Sequence, residues 1–418
     1  MEKLKVGVFG AARGMDMINV LAVHPDAELV AVCDKYTPLL DRVKAMAGEK
    51  GLSVALYEDF EDFDKHCMDA VVLANYANEH APYAIRLLKS GRHVMSEVLP
   101  CETMAQAVSL VEAAEESGKV YAYAENYCYM KRTFEMRRRY ENGDIGEVQY
   151  AEGEYVHDSP SIWPLITYGE KNHWRNRQYS TYYNTHSFGP IITMTGLRPV
   201  QVCGFETNME ARRDYAGNVP ICVGVGAMEV VTLENGAIAK SVHGQLVREP
   251  GSTNYEIYGT KGMMETNRWD GKTLSVFIEK GKLNSGDVEH YEPELFVTPD
   301  IATKFGGHGG ADFYPTHFFI DKILGRPDGI KYSIDVYTAV DMGICGILAY
   351  RSILNGNVPI KVPNLRNKHE RGAYRGDNAC TNPAVAGGQL IPLTTDGLIP
   401  DESYGYIREI WRSGKCAE

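Results

Sequence analysis

A short glycine-bearing turn near the N-terminus has the residue types and spacing that bind a phosphate group. The segment Gly10-Ala11-Ala12-Arg13-Gly14 follows an apolar run and precedes a helical pattern. Such a turn aims backbone N–H groups and a helix N-terminus at a pyrophosphate. Asp34 ends the next apolar run, about 20 residues on, where a carboxylate binds the ribose hydroxyls of a dinucleotide. We therefore predict an NAD site formed by Gly10, Ala12, Arg13, Gly14 and Asp34.

Neighbouring residues refine the NAD prediction. Ala12 stands where a middle glycine usually permits the closest approach of the ligand, and a tight turn without a ligand is the alternative interpretation. NAD is favoured over NADP because Asp34 repels a 2′-phosphate, although the adjacent Lys35 weakens that preference. Asn75 follows the fourth predicted strand and is expected to contact the cofactor. His80 is interpreted as a packing or capping residue.

Tyr183 and His186, three positions apart, have side chains suited to acid–base chemistry. An imidazole has an ordinary pKa of about 6.5, so it exchanges protons at neutral pH without a large shift. If the segment begins a helix, the two side chains share one helical face. The pair can therefore act together on one hydroxyl-bearing ligand.

The elements that must position these residues change in character along the chain. Over residues 1–125, short apolar runs alternate with helical patterns, which predicts a Rossmann domain with a doubly wound parallel sheet. Over 126–363, strand-like segments such as Ile221–Leu233 follow one another with few helices. This pattern predicts an α+β substrate-binding domain with a large, mostly antiparallel sheet, open on one face, through which the chain forms a homo-oligomer. Residues 364–418 are predicted as an irregular C-terminal arm.

The composition excludes several classes of partner. The chain has 418 residues, of which 44% are hydrophobic and 23% charged, and a formal net charge of −12. Nucleic acids and anionic membranes select clustered Lys and Arg, so neither is expected, whereas a small neutral substrate is compatible. No apolar run approaches the roughly 20 residues that cross a bilayer, and the first residues leave no room for a signal peptide. The cysteines show no spacing suited to zinc, so we predict reduced thiols, no metal and a cytoplasmic protein.

Four features together resemble the Gfo/Idh/MocA family of NAD(P)-dependent sugar and polyol oxidoreductases, over a range that extends to about Pro363. They are the glycine turn, Asp34, the run from Leu87 to Glu97 (LLKSGRHVMSE), and the segment from Gly306 to Phe313 (GGHGGADF). Dehydrogenases of that family typically carry Glu-Lys-Pro at the end of the second motif and, later, an aspartate shortly before a histidine.

The lysine, the aspartate and the histidine are the usual catalytic side chains of that family, and two of the three are absent here. Glu97 remains, but Val98 stands in the lysine position and Tyr182 in the place of the aspartate, while His186 provides the histidine. The absence of the lysine leaves open which group acts on a substrate hydroxyl.

The departures resemble one branch, the NAD-dependent glycosidases of glycoside hydrolase family 109, which carry Glu-Val-Pro in the first motif. Tyr183-Asn184-Thr185-His186 is similar to that branch's Tyr-Pro-Thr-His. The segments from Glu125 to Tyr129 and from Glu152 to Asp158 resemble its ENxxY and EGxYxHD motifs. Asn184 replaces the proline, Leu99 is an extra residue and Ser187 replaces a glycine, so the sugar specificity of that branch is not transferred.

The resemblance implies a hydrolysis with no net redox change. Hydride leaves sugar C3, a base removes the C2 proton, the C1 substituent is eliminated, water adds and the hydride returns. His186 is assigned to the oxidised hydroxyl, and Tyr183 orients the sugar or takes the C2 proton. Tyr129 and Glu97 are expected to converge on the nicotinamide, with Glu97 alternatively holding the ribose or a backbone amide. Asn126 is assigned to the cofactor.

Four further residues are assigned to the carbohydrate: His157, Trp174, Arg175 and His308. Trp174 and Arg175 offer a stacking platform with polar contacts, and the glycines beside His308 let the backbone approach a ligand closely. A surface pair with Asp158 is the alternative for His157, and a salt bridge is the alternative for Arg175. Two competing functions remain open: a conventional NAD-dependent sugar or polyol dehydrogenase or ketoreductase, and a non-catalytic NAD-sensing regulator.

Overall fold

The computed structural model of the chain describes residues 2–159, 162–207, 226–281, 286–302, 304–305, 307–394 and 401–413, without the side chains of 299 and 401–403. The first residues of the predicted strand Ile221–Leu233, Gly306, and residues 395–400 and 414–418 of the predicted arm lie outside the described residues. Two compact units are present. The first comprises Met1–Glu135, Glu294–Val340 and Leu365–Arg375, and the second comprises Met136–Pro293, Asp341–Asn364 and Gly376–Glu418. The division predicted from the sequence, at 125 and 363, stays a prediction.

Strands and helices are numbered in chain order. The strands are β1 (Leu4–Phe9), β2 (Ala27–Cys33), β3 (Ala55–Tyr57), β4 (Ala70–Leu73), β5 (His93–Ser96), β6 (Tyr121–Tyr123), β7 (Val148–Val156), β8 (Pro199–Glu206), β9 (Gly226–Leu233), β10 (Ile238–Gly244), β11 (Tyr255–Gly259), β12 (Gly262–Thr266), β13 (Leu274–Glu279), β14 (Gly286–Tyr291) and β15 (Ile360–Lys361). The helices are α1 (Met15–Leu21), α2 (Thr37–Lys50), α3 (Phe60–Phe63), α4 (His80–Lys89), α5 (Met104–Ser117), α6 (Lys131–Glu141), α7 (Trp163–Thr167), α8 (Thr185–Thr195), α9 (Pro299–Ala302), α10 (Phe313–Ile323), α11 (Pro327–Tyr332), α12 (Val336–Leu354), α13 (Lys368–Gly372), α14 (Pro383–Ala386) and α15 (Asp401–Ser413).

The first unit contains a parallel sheet of six strands in the order β3-β2-β1-β4-β5-β6. Strand β1 pairs in parallel with β2 and with β4. All four residues of β4 are buried, as expected for a strand covered by helices on both faces. The predicted doubly wound sheet is confirmed, and the carboxyl ends of its strands meet at one edge, where ligands bind in this architecture.

The second unit contains a sheet of nine strands in the order β14-β13-β12-β11-β7-β10-β9-β8-β15. Strand β10 pairs in parallel with β7, and the other pairings are antiparallel. Helix α8 packs on β7 and β10. The backbones are so close that a Cβ atom on Gly153 would lie 1.8 Å from the Ser187 carbonyl oxygen, which requires glycine there. The predicted α+β fold with a mostly antiparallel sheet is confirmed.

Charged side chains along β7 are paired with residues from nearby segments of the second unit. Glu152 forms an ion pair with Lys240, and Glu154 lies 3.4 Å from Arg268. A homo-oligomer formed through an open sheet face stays a prediction.

Two negative findings apply to the part of the chain that the structure describes. No helix there combines the length and the apolar character that a membrane span needs. No group of three or more His, Cys, Asp or Glu side chains there is arranged to ligate a metal ion.

Candidate active site

The glycine turn of the first unit brings its backbone into direct contact with the neighbouring strand end. Gly10 follows β1 with φ +98°, and a Cβ atom on it would lie 2.3 Å from the Ala74 carbonyl oxygen. A Cβ atom on Gly14 would lie 2.0 Å from the Gly10 carbonyl oxygen. Helix α1 begins directly after Gly14, and Ala12 is exposed. The turn therefore needs both glycines and leaves its outer surface accessible to a ligand.

Asp34 and Asn75 lie beyond the ends of β2 and β4, at the same edge of the sheet. The carboxylate of Asp34 accepts hydrogen bonds from the Ala11 N–H at 2.7 Å and the Tyr36 N–H at 2.8 Å. Asn75 donates to Glu79 at 3.3 Å, and its side-chain oxygen is buried without a partner among the described residues. An acceptor left without a partner and a turn that only glycine can form fit a dinucleotide at this edge.

Arg13 links two buried carboxylates in the first unit. Its Nε donates to Glu97 at 2.8 Å and its Nη2 donates to Asp312 at 2.7 Å, while Nη1 pairs with the more exposed Asp16. Glu97 also accepts from the Val98 N–H at 3.0 Å. Burial alone would lower the pKa of Arg13, but the two buried carboxylates outweigh it and raise that pKa further above its usual value. Arg13 is therefore a permanent cation.

Asp312 also binds His308 and Asn126. Its Oδ2 lies 2.7 Å from His308 Nδ1, and its Oδ1 accepts from the Asn126 side chain at 2.8 Å. Burial would raise the pKa of Asp312, yet His308 and Arg13 hold it well below its usual range. The bond to Asp312 raises the pKa of His308 against the effect of burial.

The structure thus brings the predicted residues Arg13, Glu97, Asn126 and His308 together through Asp312, which the sequence analysis did not assign. Helical spacing does not explain this pair, because His308 and Gly309 have left-handed backbone conformations and α10 begins only at Phe313. We call these five residues the charged cluster.

Tyr129 packs in the core of the first unit. Its hydroxyl donates to the Tyr332 carbonyl oxygen at 2.7 Å, and its ring packs against Phe134, Tyr314 and Phe318. Only 1% of its surface is exposed. The function proposed below does not use Tyr129.

The second unit contains a cavity of about 200 Å³. The cavity is lined by aromatic, polar and apolar residues. They are Tyr155, His157, Ser159, Ile162, Trp163, Ile166, Arg175, Gln178, Tyr179, Ser180, Tyr183, His243, Gly244 and Gln245. No aspartate or glutamate is among these described lining residues. The cavity therefore offers phenol, imidazole, amide and guanidinium groups rather than carboxylates.

His186 is in edge contact with two tyrosines that line the cavity. The ring centroids of Tyr183 and His186 are 4.9 Å apart at 88°, and those of Tyr155 and His186 are 4.8 Å apart at 64°. Helix α8 begins at Thr185, so its first turn carries His186. The Tyr255 hydroxyl donates to the His186 carbonyl oxygen at 2.6 Å and fixes this turn. Tyr155 was not singled out from the sequence, although it lies in the EGxYxHD-like segment.

Arg175 is held against aromatic rings. Its guanidinium carbon lies 4.4 Å from the Trp174 ring centroid and 5.5 Å from that of Tyr183, and the two rings stack with centroids 6.2 Å apart. Such cation–π contacts keep the charge close to the cavity. His157 lines the same cavity and is exposed. The predicted substrate roles of these residues stay predictions, with His308 located in the first unit.

Asn184 and Glu229 support the segment that carries Tyr183 and His186. The Asn184 side chain donates to Glu229 at 3.0 Å and to the Met342 carbonyl oxygen at 3.2 Å. Glu229, on β9, is completely buried, and burial raises its pKa to about 8 despite the bond from Asn184. Glu229 is therefore a neutral acid at pH 7, at a strand position that the sequence analysis did not single out.

Comparison with known proteins decides the family. Residues 4–125 match the model described as oxidoreductase family, NAD-binding Rossmann fold, and residues 129–371 match that of glycosyl hydrolase 109, C-terminal domain. The chain belongs to the glycosyl hydrolase 109 family. The first unit is accordingly an NAD-binding unit of the Gfo/Idh/MocA type, and the chain is an NAD-dependent glycosidase or sugar oxidoreductase.

Curated relatives carry the same family name. A glycosyl hydrolase family 109 protein 1 from Phocaeicola vulgatus is 24% identical over 406 residues, which cover 87% of this chain and 84% of the relative. A glycosyl hydrolase family 109 protein from Porphyromonas gingivalis is 24% identical over 404 residues, which cover 87% of this chain and 85% of the relative. The predicted family is confirmed.

Solved structures share the fold of this glycosyl hydrolase 109 protein. Levoglucosan dehydrogenase in complex with NADH and levoglucosan superposes with a TM-score of 0.69 at 16% identity, covering 87% of this chain and all of that one. The myo-inositol 2-dehydrogenase from Lactobacillus plantarum gives a TM-score of 0.65 at 16% identity, covering 86% and 100%. At this identity the likeness concerns the fold alone.

Proposed function

We propose that this protein is a redox-neutral glycoside hydrolase that oxidises a sugar transiently at C3, eliminates the C1 substituent, adds water and restores the C3 hydroxyl. One observation carries the proposal: the described lining of the second unit's cavity contains Tyr183, in edge contact with His186, and no carboxylate. Ordinary glycosidases require two carboxylates across the scissile bond, and NAD-dependent glycosidases are the recognised exception.

The cofactor provides one part of this chemistry. NAD, when bound, supplies reversible acceptance of a hydride, and Gly10, Asp34 and Asn75 are the residues of the first unit that fit it. The remaining steps are proton movements, for which the chain supplies the groups.

His186 takes the proton of the C3 hydroxyl as that carbon becomes a ketone, and returns it at the end. The ketone acidifies the C2 proton, which Tyr183 removes. Arg175, 5.5 Å from the Tyr183 ring, favours negative charge on the phenol oxygen. The C2–H electron pair forms the C1–C2 double bond while the C1–O bond breaks and its pair leaves with the oxygen. Water then adds its oxygen at C1, the proton it loses goes to the leaving oxygen, and Tyr183 returns a proton to C2, so the net reaction consumes one water without oxidation or reduction.

Carbohydrate is the proposed substrate class. Similar solved proteins contain levoglucosan in one case and myo-inositol in another. The cavity supports the same class, because aromatic faces beside hydrogen-bonding groups suit a hydroxyl-bearing ring.

Isotope exchange tests the proposal. The NAD-loaded enzyme is incubated with aryl glycosides in D2O, and the released sugar is examined by NMR for deuterium at C2 while NADH absorbance is followed. We expect deuterium at C2 and no accumulation of NADH. Release of the aryl group without C2 exchange would rule out the elimination. Accumulation of NADH with an intact glycosidic bond would instead assign the protein as a dehydrogenase.

A further inference from the structure

Three residues that line the cavity of the second unit each have a buried polar atom that lacks a partner within the described chain. These atoms are Nδ1 of His243, Oγ of Ser180 and Oε1 of Gln178. His243 is 4% exposed and Ser180 is 7% exposed. Leaving a buried polar atom without a hydrogen bond is destabilising, so three such atoms on residues that line one cavity indicate that a ligand supplies the missing partners.

The contacts of His243 fix which of its nitrogens carries the proton. Its Nε2 is in short contact with the Ser180 carbonyl oxygen, which can only accept a hydrogen bond, so Nε2 must donate. Burial lowers the pKa of His243 to about 4 against the opposing effect of the Ser180 carbonyl, and a charged His186 lowers it further. The ring is therefore neutral at pH 7, and Nδ1 has a lone pair that no donor in the described chain meets.

The groups around Nδ1 define the chemistry of the ligand. An acceptor at His243 and an amide oxygen at Gln178 require donors from the ligand, and the Ser180 hydroxyl can donate or accept. Ile162, Trp163 and Ile166 provide an apolar wall of the same cavity. A neutral ring with hydroxyl or N–H groups on its edge and C–H groups on its face matches this combination, whereas a carboxylate would meet the lone pair of Nδ1 with a like partial charge.

We propose that His243 is a specificity-determining residue whose Nδ1 accepts a hydrogen bond from one hydroxyl or N–H group of the bound sugar. The inference rests on the proposed function in one respect, that the cavity binds a carbohydrate. It goes further by naming the residue, the atom and the polarity of the contact.

Two substitutions separate the cavity side of the ring from its backbone side. His243→Gln places an amide N–H near the position of Nε2, so it retains a donor to the Ser180 carbonyl and removes the acceptor at Nδ1. His243→Asn places its amide near Nδ1, so it retains an acceptor toward the ligand and loses the contact with Ser180. His290→Gln is the matched control, because His290 is an exposed histidine of the same unit, on β14.

The measurement is the dissociation constant of NAD-loaded full-length enzyme, by calorimetry, for methyl glycosides of the common hexoses and N-acetylhexosamines. Monodeoxy derivatives of each glycoside that binds are then titrated. We expect His243→Gln to weaken binding about tenfold, and His243→Asn and His290→Gln to bind as the wild type does. One monodeoxy derivative should bind the wild type about tenfold more weakly than its parent and show no such difference with His243→Gln.

The outcomes distinguish this inference from the proposed function. If His243→Gln binds every glycoside as the wild type does, or loses the same factor for every derivative, His243 is only structural and the inference fails. If the wild type binds no glycoside, both proposals fail. If the wild type binds and His243→Gln loses the selective contact, but C2 exchange is absent, the inference stands and the elimination mechanism falls.

Discussion

The candidate functional side chains of the two units differ in their charge. In the first unit, Arg13 is shared by two buried carboxylates, and His308 adds a second cationic partner to one of them. In the second unit, the described cavity lining has no carboxylate, His243 is a neutral ring and Glu229 beneath the site is a neutral acid. Ion pairs dominate the first region, whereas uncharged hydrogen-bonding groups dominate the second, where Arg175 is the permanently charged side chain of the described cavity lining.

This difference matches the work that each region has to do. A dinucleotide is anionic, and a fixed arrangement of charges around Arg13 can position the strand ends that hold it. Proton exchange with a neutral sugar requires groups that change charge easily, and the described cavity lining of the second region has no carboxylate that would hold a proton in one place.

The largest effect is expected at His186, the proposed proton carrier of the second unit. His186→Asn keeps a polar side chain but removes the imidazole proposed to accept the proton, so kcat should fall about 10²- to 10⁴-fold. NAD affinity should stay as in the wild type, because the residues proposed to hold the cofactor belong to the first unit and His186 belongs to the second. Release of an aryl leaving group measures kcat, and NAD titration by fluorescence provides the second readout. Turnover near the wild-type rate would show that His186 does not carry the proton.

The next effect concerns the charged cluster. Arg13→Met leaves Glu97 and Asp312 buried without their shared cation, which should lower the free energy of unfolding by about 3 kcal/mol. The control is Lys65→Met, which breaks an exposed pair with Asp62 and should change the free energy of unfolding far less. Urea unfolding of both variants without NAD measures the difference. Equal losses would mean that the cluster is no stronger than a surface ion pair.

The parts of this contrast that the sequence revealed are local ones. Gly10 and Gly14 stand within a strand–turn–helix pattern, and Asp34 follows at the spacing of one βαβ unit, so short-range periodicity was sufficient. Tyr183 and His186 were visible as a pair because they are three positions apart, although α8 begins at Thr185 and Tyr183 precedes the helix. Each prediction depended on residues that the chain itself keeps close.

The missed residues depend on contacts between distant segments. Asp312 meets Arg13 across 299 positions, and no local pattern predicts which aspartate completes that pair. Strand alternation places Ser241 and His243 on the same face of β10, but it does not tell whether a polar residue on that face is satisfied by the protein or directed at a ligand. Glu229 was missed for the same reason, since its neutrality follows from complete burial.

The pH dependence of stability tests whether Glu229 in the second unit is a neutral acid. Its pKa in the folded protein is about 8, above the ordinary value of 4.5, so folding favours the protonated acid. Its contribution to stability is fully present below the ordinary pKa and is lost as pH rises toward 8. Between pH 5 and 7 the free energy of unfolding of the wild type should fall by about 2 to 3 kcal/mol relative to that of Glu229→Gln. The amide of the variant does not titrate but can still accept a hydrogen bond from Asn184. Parallel stability curves for the two proteins would show that Glu229 is ionised in the folded state.

The smallest effect should come from His308, and its salt dependence distinguishes the two regions. The bond to Asp312 raises the pKa of His308, so its extra stability is present below the ordinary value and is lost as pH rises through the folded value. The free energy of unfolding of the wild type should exceed that of His308→Gln by at most about 1 kcal/mol at low pH and by less at high pH. Added salt should shrink this difference because it screens an ion pair, whereas the Glu229 effect should persist because a neutral acid has no charge to screen. Unfolding curves at two salt concentrations measure both. A salt-insensitive His308 effect would indicate a neutral hydrogen bond in place of the ion pair, and the contrast between the units would then rest on Arg13 alone.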